Sequence, residues 1–565
     1  MAKRKSKTPP AEPLSSLPPP QEAVESVAEP NPGARRWHLY AVLLAGVTLL
    51  IYWLRLDRVV GLYVDDAWYV LLGQALATGQ GYRLTNSPSP GILPFYPPGY
   101  PFLLSLVFRL APQFPQNFLF LKAVSCLAMF GLGCAVYVYF RRVRVVTPPI
   151  ALGLAGVVAL NPALVFLATS TTMSECVFML WQMLTVLAVE RCVSAKPGAS
   201  QLRWAAGAAA LGAAMFLTRS VSVAVLLAAV LYLAKERKWR PLAVFAIGVA
   251  ILIGPWLVYT RLNAVTPEQQ AEQNNYIVYS YGEQFWHRRA GYPNQGILSL
   301  EDIPGRMIES GAHILEYDVA AMFADPLFRA LVIGDWRLKS TFFTSALSYL
   351  LSLLVVLGFI RACRARLTLA ELVVPLTLLV TLTWPFPPIR FLLPLLPWFA
   401  FYLLLGCESV WQTVARLRPA SLKLAYGVLA ALLAINLYGT VTHIIAIRSS
   451  GSNRANWLRV FEENEALIKW AGANLPAEAV IVTQNPGLVY LYTGRKTAGS
   501  LEPARNWENW KRLGVRYWLQ TSYYKQEPLK PAEKRYSVLH TTPELDLRAL
   551  DFGPADTRAP WQENP

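Results

Sequence analysis

The chain has 565 residues, 54% of them hydrophobic, and a mean hydropathy of +0.34. That excess of apolar side chains excludes an ordinary soluble enzyme of this length and implies several membrane spans. A net charge of +17 does not point to nucleic acid, because the basic residues fall in short clusters between apolar runs and form no continuous stripe.

Residues 1–34 are rich in Pro, Ser, Glu and Ala and are expected to form a disordered tail. Apolar segments then recur at 38–56, 117–140, 148–168, 174–193, 204–217, 221–234, 241–259, 341–360, 369–385, 391–407 and 424–447, close to eleven in all. Residues 204–234 are one long helix or two short ones turning at Thr218, Arg219 and Ser220. Basic clusters decide for the hairpin, since they stand at both ends of the stretch. Every second connection is basic (Arg141, Arg142 and Arg144; Arg191, Lys196 and Arg203; Lys235 to Arg240; Arg361, Arg364 and Arg366; Arg416, Arg418 and Lys423). This alternation places those connections and the N-terminus in the cytoplasm. The 57–116 loop, the 260–340 loop and the C-terminal region then face outward.

Within the first outward loop, Asp66 to Thr78 reads as a helix stopped by Gly79 and Gly81, and Pro98 to Leu110 as an apolar helix lying in the interface. The 260–340 loop is rich in Tyr, Asn and Gln at first and helical later. Residues 450–565 are polar and rich in Trp and Tyr. Strand-like 479–483 and 515–520 alternate there with helix-like 461–474 and 506–513, which predicts a small α/β domain. The fold expected is thus an α-helical polytopic membrane protein, with residues 35–449 as its membrane part and a C-terminal α/β extracytoplasmic domain.

Acids at a membrane edge are costly unless they have a task. Asp65 and Asp66, in VDDAWY, fit a general base and an auxiliary acid; a helix cap accounts for one acid but not for two. Glu175 opens the fourth segment on the same face and is a third candidate, set against simple complementarity to the positive helix end. Arg219 and Arg390 lie outward, against the charge bias. Each is a candidate clamp for a phosphate, or else an interfacial anchor. Trp68, Tyr69, Tyr82, Tyr96 and Tyr100 make the first loop aromatic; they suit an interfacial belt, or sugar stacking at Tyr69, Tyr96 and Tyr100. In YLYTGRK, Gly494 reads as a helix C-cap. The six cysteines form no C-x-x-C pair and the five histidines do not cluster, so no metal and no cofactor is assigned.

Taken together, VDDAWYVLLGQALATGQGY, YPPGYPFLLSL, Ser174-Glu175, TRS at 218–220, RFLLPLLP at 390–397 and NPGLVYLYTGRKT resemble the GT-C glycosyltransferases. The resemblance is greatest to bacterial protein O-mannosyltransferase and lipid A aminoarabinose transferase relatives, and it covers most of residues 38–520. It implies a polyprenyl-phosphate sugar donor, an envelope acceptor, and transfer at the outer face of the bacterial inner membrane, usually with inversion. It places the base at Asp65, and Asp66 where relatives often carry Glu. A transporter or flippase for lipid-linked glycans would show two related halves, which this chain lacks. A non-catalytic assembly protein is a third reading, and the acids and outward arginines weigh against it.

Overall fold

In this computed structural model, the described residues are 32–88, 91–92, 96–264, 281–288, 296–324, 342–414, 422–499, 503–521 and 536–554. The predicted disordered tail lies almost wholly outside them, as does the Tyr-, Asn- and Gln-rich start of the second long loop.

The N-terminal half runs through ten helices: α1 (Pro32–Arg55), α2 (Asp65–Ala77), α3 (Gly99–Leu110), α4 (Phe118–Arg142), α5 (Pro148–Ala159), α6 (Pro162–Thr169), α7 (Glu175–Ser194), α8 (Ala199–Thr218), α9 (Val223–Lys235) and α10 (Trp239–Leu262). Further on come Phe342–Ala365, Ala370–Thr383, Ile389–Val414 and Leu422–Arg448. All eleven predicted apolar segments are helical, as they must be where no water satisfies the backbone. Among the described residues, seven helices are long and apolar enough to cross a membrane, or eight if the bent pair α5–α6 is one span. The protein is a multi-pass membrane protein.

Two breaks in these helices prepare the site. Asn161 ends the α5–α6 bend of 51°. Its Oδ1 accepts the N–H groups of Ala163 and Leu164, and its Nδ2 donates to the Met322 carbonyl. α6 therefore ends early and hands the chain to the turn that carries Ser174 and Glu175. The second break is Arg219, extended between α8 and a 3-10 turn at Ser220–Ser222. A Cβ on Gly212 would stand 2.9 Å from Leu226 Cδ2. Positions seven before and seven after Arg219 thus touch, and the chain reverses there as the basic clusters predicted.

The core runs along the helices. Leu396–Leu405 of the Ile389–Val414 helix is buried throughout, whereas Leu43, Leu50 and Trp53 of α1 and Ile247, Ile251 and Val258 of α10 are exposed. That split is expected of a central helix ringed by lipid-facing ones. α2 and α3 lie against each other at Gly73, where an added Cβ would meet Leu104 Cβ at 2.9 Å.

The C-terminal domain holds one five-stranded sheet, with β1 (Val480–Thr483), β2 (Thr497–Gly499), β3 (Val515–Leu519), β4 (Ser537–Thr541) and β5 (Arg548–Asp551) in the order β2-β1-β3-β5-β4. β1 pairs parallel with β2 and β3, and β5 pairs antiparallel with β3 and β4. Val482, Trp507, Trp510, Trp518 and Phe552 close one side. The Asn456–Asn474 and Pro486–Thr493 helices pack together with the first loop of the membrane part. Gly494 ends the second of these helices with φ +67°, the left-handed cap expected there.

Candidate active site

The acid pair stands at the start of α2, and neither carboxylate caps it. Asp66 turns back on the chain before it. Its Oδ2 accepts the N–H groups of Gly61 at 2.9 Å and Leu62 at 3.2 Å, and its Oδ1 that of Tyr63 at 3.0 Å. Asp66 is fully buried, and burial pushes its carboxyl up to about 6 against the pull of these three N–H groups.

Between the loop and the helix, Val64 has φ +58° and ψ −53°, and the Asp65 N–H donates to the Tyr63 carbonyl. This is a γ-turn of the uncommon positive-φ kind, placed on a β-branched residue that avoids it. Backbone strain of this sort persists only where the surroundings hold it. Here Asp66 holds the residues before the turn, and α2 continues from it.

The turn leaves Asp65 half-buried at the site. Its Oδ1 accepts the Tyr96 hydroxyl at 2.6 Å, and Oδ2 makes no hydrogen bond among the described residues. Burial raises the Asp65 carboxyl above the usual carboxylate range, opposed by nearby Arg390 and by the Tyr96 hydroxyl. Burial also holds the Tyr69 and Tyr96 phenols protonated, so Tyr96 stays a donor. The Tyr69 ring lies edge-on to Tyr96 and Tyr100, with centroids at 5.0 and 5.2 Å. The Tyr100 hydroxyl shares a hydrogen bond with Ser125 at 3.1 Å, and its fully buried ring backs Tyr69.

Glu175 is 1% exposed and receives both outward arginines on one oxygen. Arg390 reaches its Oε1 through Nη2 at 2.5 Å and Nε at 3.1 Å, and Arg219 through Nη1 at 3.0 Å. The buried Oε2 has no hydrogen-bond partner among the described residues. Arg219 also donates to Ser174, which bonds the Tyr69 hydroxyl, and the Arg390 guanidinium lies 5.1 Å over the Tyr63 ring. Asp65, Glu175, Arg219, Arg390, Tyr69 and Tyr96 thus form one cluster. Beside it, a small cavity of about 10 Å³ is walled by both arginines, Gln182 and Thr377, and otherwise by Phe178, Val221, Val225, Phe391 and Pro394. One end of that cavity is cationic and the rest mostly apolar.

Two contributors escaped the sequence reading. Tyr281 comes from the second long loop, bonds Ser220 and lies within electrostatic reach of Asp65 and Arg219. Nothing in its local sequence sets it apart from other loop tyrosines. Asp57 and Lys122 form a fully buried pair at 2.8 Å, which Arg55 and Ser170 join. Lys122 also donates to the Thr169 carbonyl, so the pair ties α1, α4 and the end of α6 together below the acids. A lysine inside the apolar run FLFLKAVS was the available signal.

The chain shares its overall fold with solved structures of low sequence identity. ArnT from Cupriavidus metallidurans in the apo state superposes with TM-score 0.56 at 14% identity, over 92% of this chain and 99% of that one. The same protein bound to undecaprenyl phosphate gives 0.55 at 12% identity, over 93% and 99%. The archaeal oligosaccharyltransferase AglB from Archaeoglobus fulgidus, in complex with an inhibitory peptide and a dolichol-phosphate, gives 0.51 at 14% identity, over 86% and 70%. No family model and no curated protein matches the chain in sequence.

Proposed function

We propose that the protein is a membrane glycosyltransferase that moves a sugar from a polyprenyl-phosphate donor to a hydroxyl of an envelope acceptor. The acid-bearing face is the outer face of the bacterial inner membrane. The observation that carries this reading is the pairing of Asp65 with a two-arginine cavity whose remaining walls are mostly apolar. Two guanidiniums against apolar walls match a phosphate with a hydrocarbon tail, for which the small pocket must open, and an adjacent carboxylate suits activation of an alcohol.

In the reaction, the Asp65 carboxylate takes the acceptor hydroxyl's proton as that oxygen attacks the anomeric carbon. The new oxygen–carbon bond forms as the bond from that carbon to the phosphate oxygen breaks. The electron pair leaves with the polyprenyl phosphate, and attack from the opposite side inverts the centre. Arg390 and Arg219 hold the charge that grows on the leaving phosphate. Glu175 keeps both guanidiniums aimed, Asp66 shapes the turn before Asp65, and Tyr96 orients the base. Tyr69, backed by Tyr100, lines the sugar's side of the site.

The reading is tested by mass spectrometry of envelope lipids, glycans and proteins from cells with and without the gene product. A class of molecules lighter by one sugar in its absence supports transfer. An unchanged envelope, with purified protein that fails to release undecaprenyl phosphate from any of a panel of undecaprenyl-phosphate-linked hexoses and pentoses, refutes it.

A further inference from the structure

We infer that the C-terminal domain is a working part of the transfer site, and that Asn485 is the positioning residue through which it acts on Asp65. This rests on the glycosyltransferase reading, because it supposes that Asp65 is the base.

The carboxyl ends of β1 and β3 point at the first loop of the membrane part. In open α/β sheets this edge usually receives a ligand. Here Asn485, just beyond β1, meets Gly61 instead. Its Nδ2 donates to the Gly61 carbonyl at 2.8 Å, while its Oδ1 caps the following helix by accepting the Leu488 N–H at 3.2 Å. The Gly61 N–H is one of the three that Asp66 accepts. One residue, Gly61, therefore links the C-terminal domain to the acid pair.

The fit at Gly61 is close. Its φ is +83°, and an added Cβ would lie 2.9 Å from Asn485 Nδ2 and 3.0 Å from Leu488. A Cβ added at Gly487, two residues after Asn485, would lie 3.4 Å from Ala67 and Trp68 of α2. A second strap runs beside it. The Thr497 N–H donates to the Asn86 carbonyl at 2.8 Å, the Asn86 amide returns a bond to Thr497 Oγ1 at 3.0 Å, and Lys496 Nζ reaches the Thr85 carbonyl at 2.7 Å. NPGLVYLYTGRKT is thus the segment that grips the catalytic loop at both ends.

The strained turn at Val64 needs an external hold, and the three residues before it have one on each side. Asp66 grips the N–H side of the loop and Asn485 the carbonyl side. Loosening Asn485 should let Val64 relax and swing Asp65 off line, without touching donor or acceptor. A misplacement of about 1 Å costs about a hundredfold in rate.

The test uses Asn485→Asp in the full-length purified protein. The carboxylate keeps the cap on Leu488 but cannot donate to Gly61. With an undecaprenyl-phosphate-linked sugar as probe, kcat should fall about ten- to a hundredfold while KM for that lipid stays within about twofold. Hydrogen exchange of the 61–64 amides should quicken about tenfold, with exchange in β1 and β3 unchanged. In an Asp65→Asn background the same change should have no further effect on rate, since a residue acting through Asp65 has nothing left to position. Asn485→Ser, which also keeps a cap, serves if the first variant does not fold. Normal kcat, unchanged exchange at 61–64, or full additivity with Asp65→Asn each overturns the inference. No release of undecaprenyl phosphate by the wild type refutes the glycosyltransferase reading instead, a normal rate for Asp65→Asn alone refutes Asp65 as its base, and in either case the exchange result still decides whether Asn485 holds the loop.

Discussion

Two clusters of buried charge stand at opposite ends of the helices, and they are built differently. At the end away from the acids, Glu371 is fully committed. Its Oε1 takes Arg144 and the Tyr402 hydroxyl, and its Oε2 takes the Thr368 N–H and hydroxyl. Glu190 beside it is equally satisfied, by the Leu369 N–H and the Tyr232 hydroxyl. At the acid-bearing end, two arginines crowd one oxygen of Glu175, its other oxygen has no hydrogen-bond partner among the described residues, and a cavity opens beside them. Both clusters pay the cost of burying charge. A carboxylate paired on both oxygens marks a staple between helices, whereas one left half-paired next to a cavity marks a place for a ligand.

Substitutions on the two sides should separate accordingly. Arg390→Ala should slow turnover about a hundred- to a thousandfold, because charge developing on the leaving phosphate would lose its partner. Arg390→Lys should lose less, keeping the charge but not the two-pronged grip. Turnover at saturating donor, measured beside undecaprenyl-phosphate binding, separates the two effects; wild-type values for both variants would make Arg390 a membrane anchor only. Glu371→Gln should instead leave Arg144 buried and unpaired and destabilise the protein by about 3–5 kcal/mol, read by thermal unfolding in detergent. The folded fraction of that variant should keep normal turnover. Glu175→Gln should weaken undecaprenyl-phosphate binding about tenfold, with a smaller loss of stability than Glu371→Gln. The reverse ranking would erase the distinction between the clusters.

The smallest effect expected is on the pH profile. Both acids titrate above the ordinary carboxylate range, Asp66 at about 6. Asp65 works as a base only when ionised, so turnover should be lost as pH falls and its raised carboxyl takes up a proton, and the hold of Asp66 on the loop should be lost as pH drops through about 6. A rate flat down to pH of about 4, the ordinary carboxylate value, would mean that neither acid matters in its ionised form.

Much of the architecture was legible because its signals are local. Each apolar run is a helix, the basic clusters located the reversal at Arg219, and Gly494 announced its cap. β2 and β5 were not foreseen, since three or four residues carry too little alternation to be read. β4 was hidden for another reason: it is an edge strand with Val538 and Leu539 exposed. At the site, the sequence supplied the members but not their pairings. Glu175, Arg219 and Arg390 meet only through the packing of three distant segments, and nothing in RFLLPLLP says that its arginine grips a glutamate. Asp66 is the most instructive residue. Its neighbour in the sequence reaches into the site, while Asp66 itself folds back on residues 61–63, and the difference depends on one positive φ at Val64.

The account turns on Asp65 acting as a base, and Asp65→Asn tests this most directly. The amide keeps the shape and can still meet Tyr96 but cannot take a proton. Purified Asp65→Asn protein should bind undecaprenyl phosphate as the wild type does, yet release it from undecaprenyl-phosphate-linked sugar about two to four orders of magnitude more slowly. Near-normal release by that variant would contradict the account.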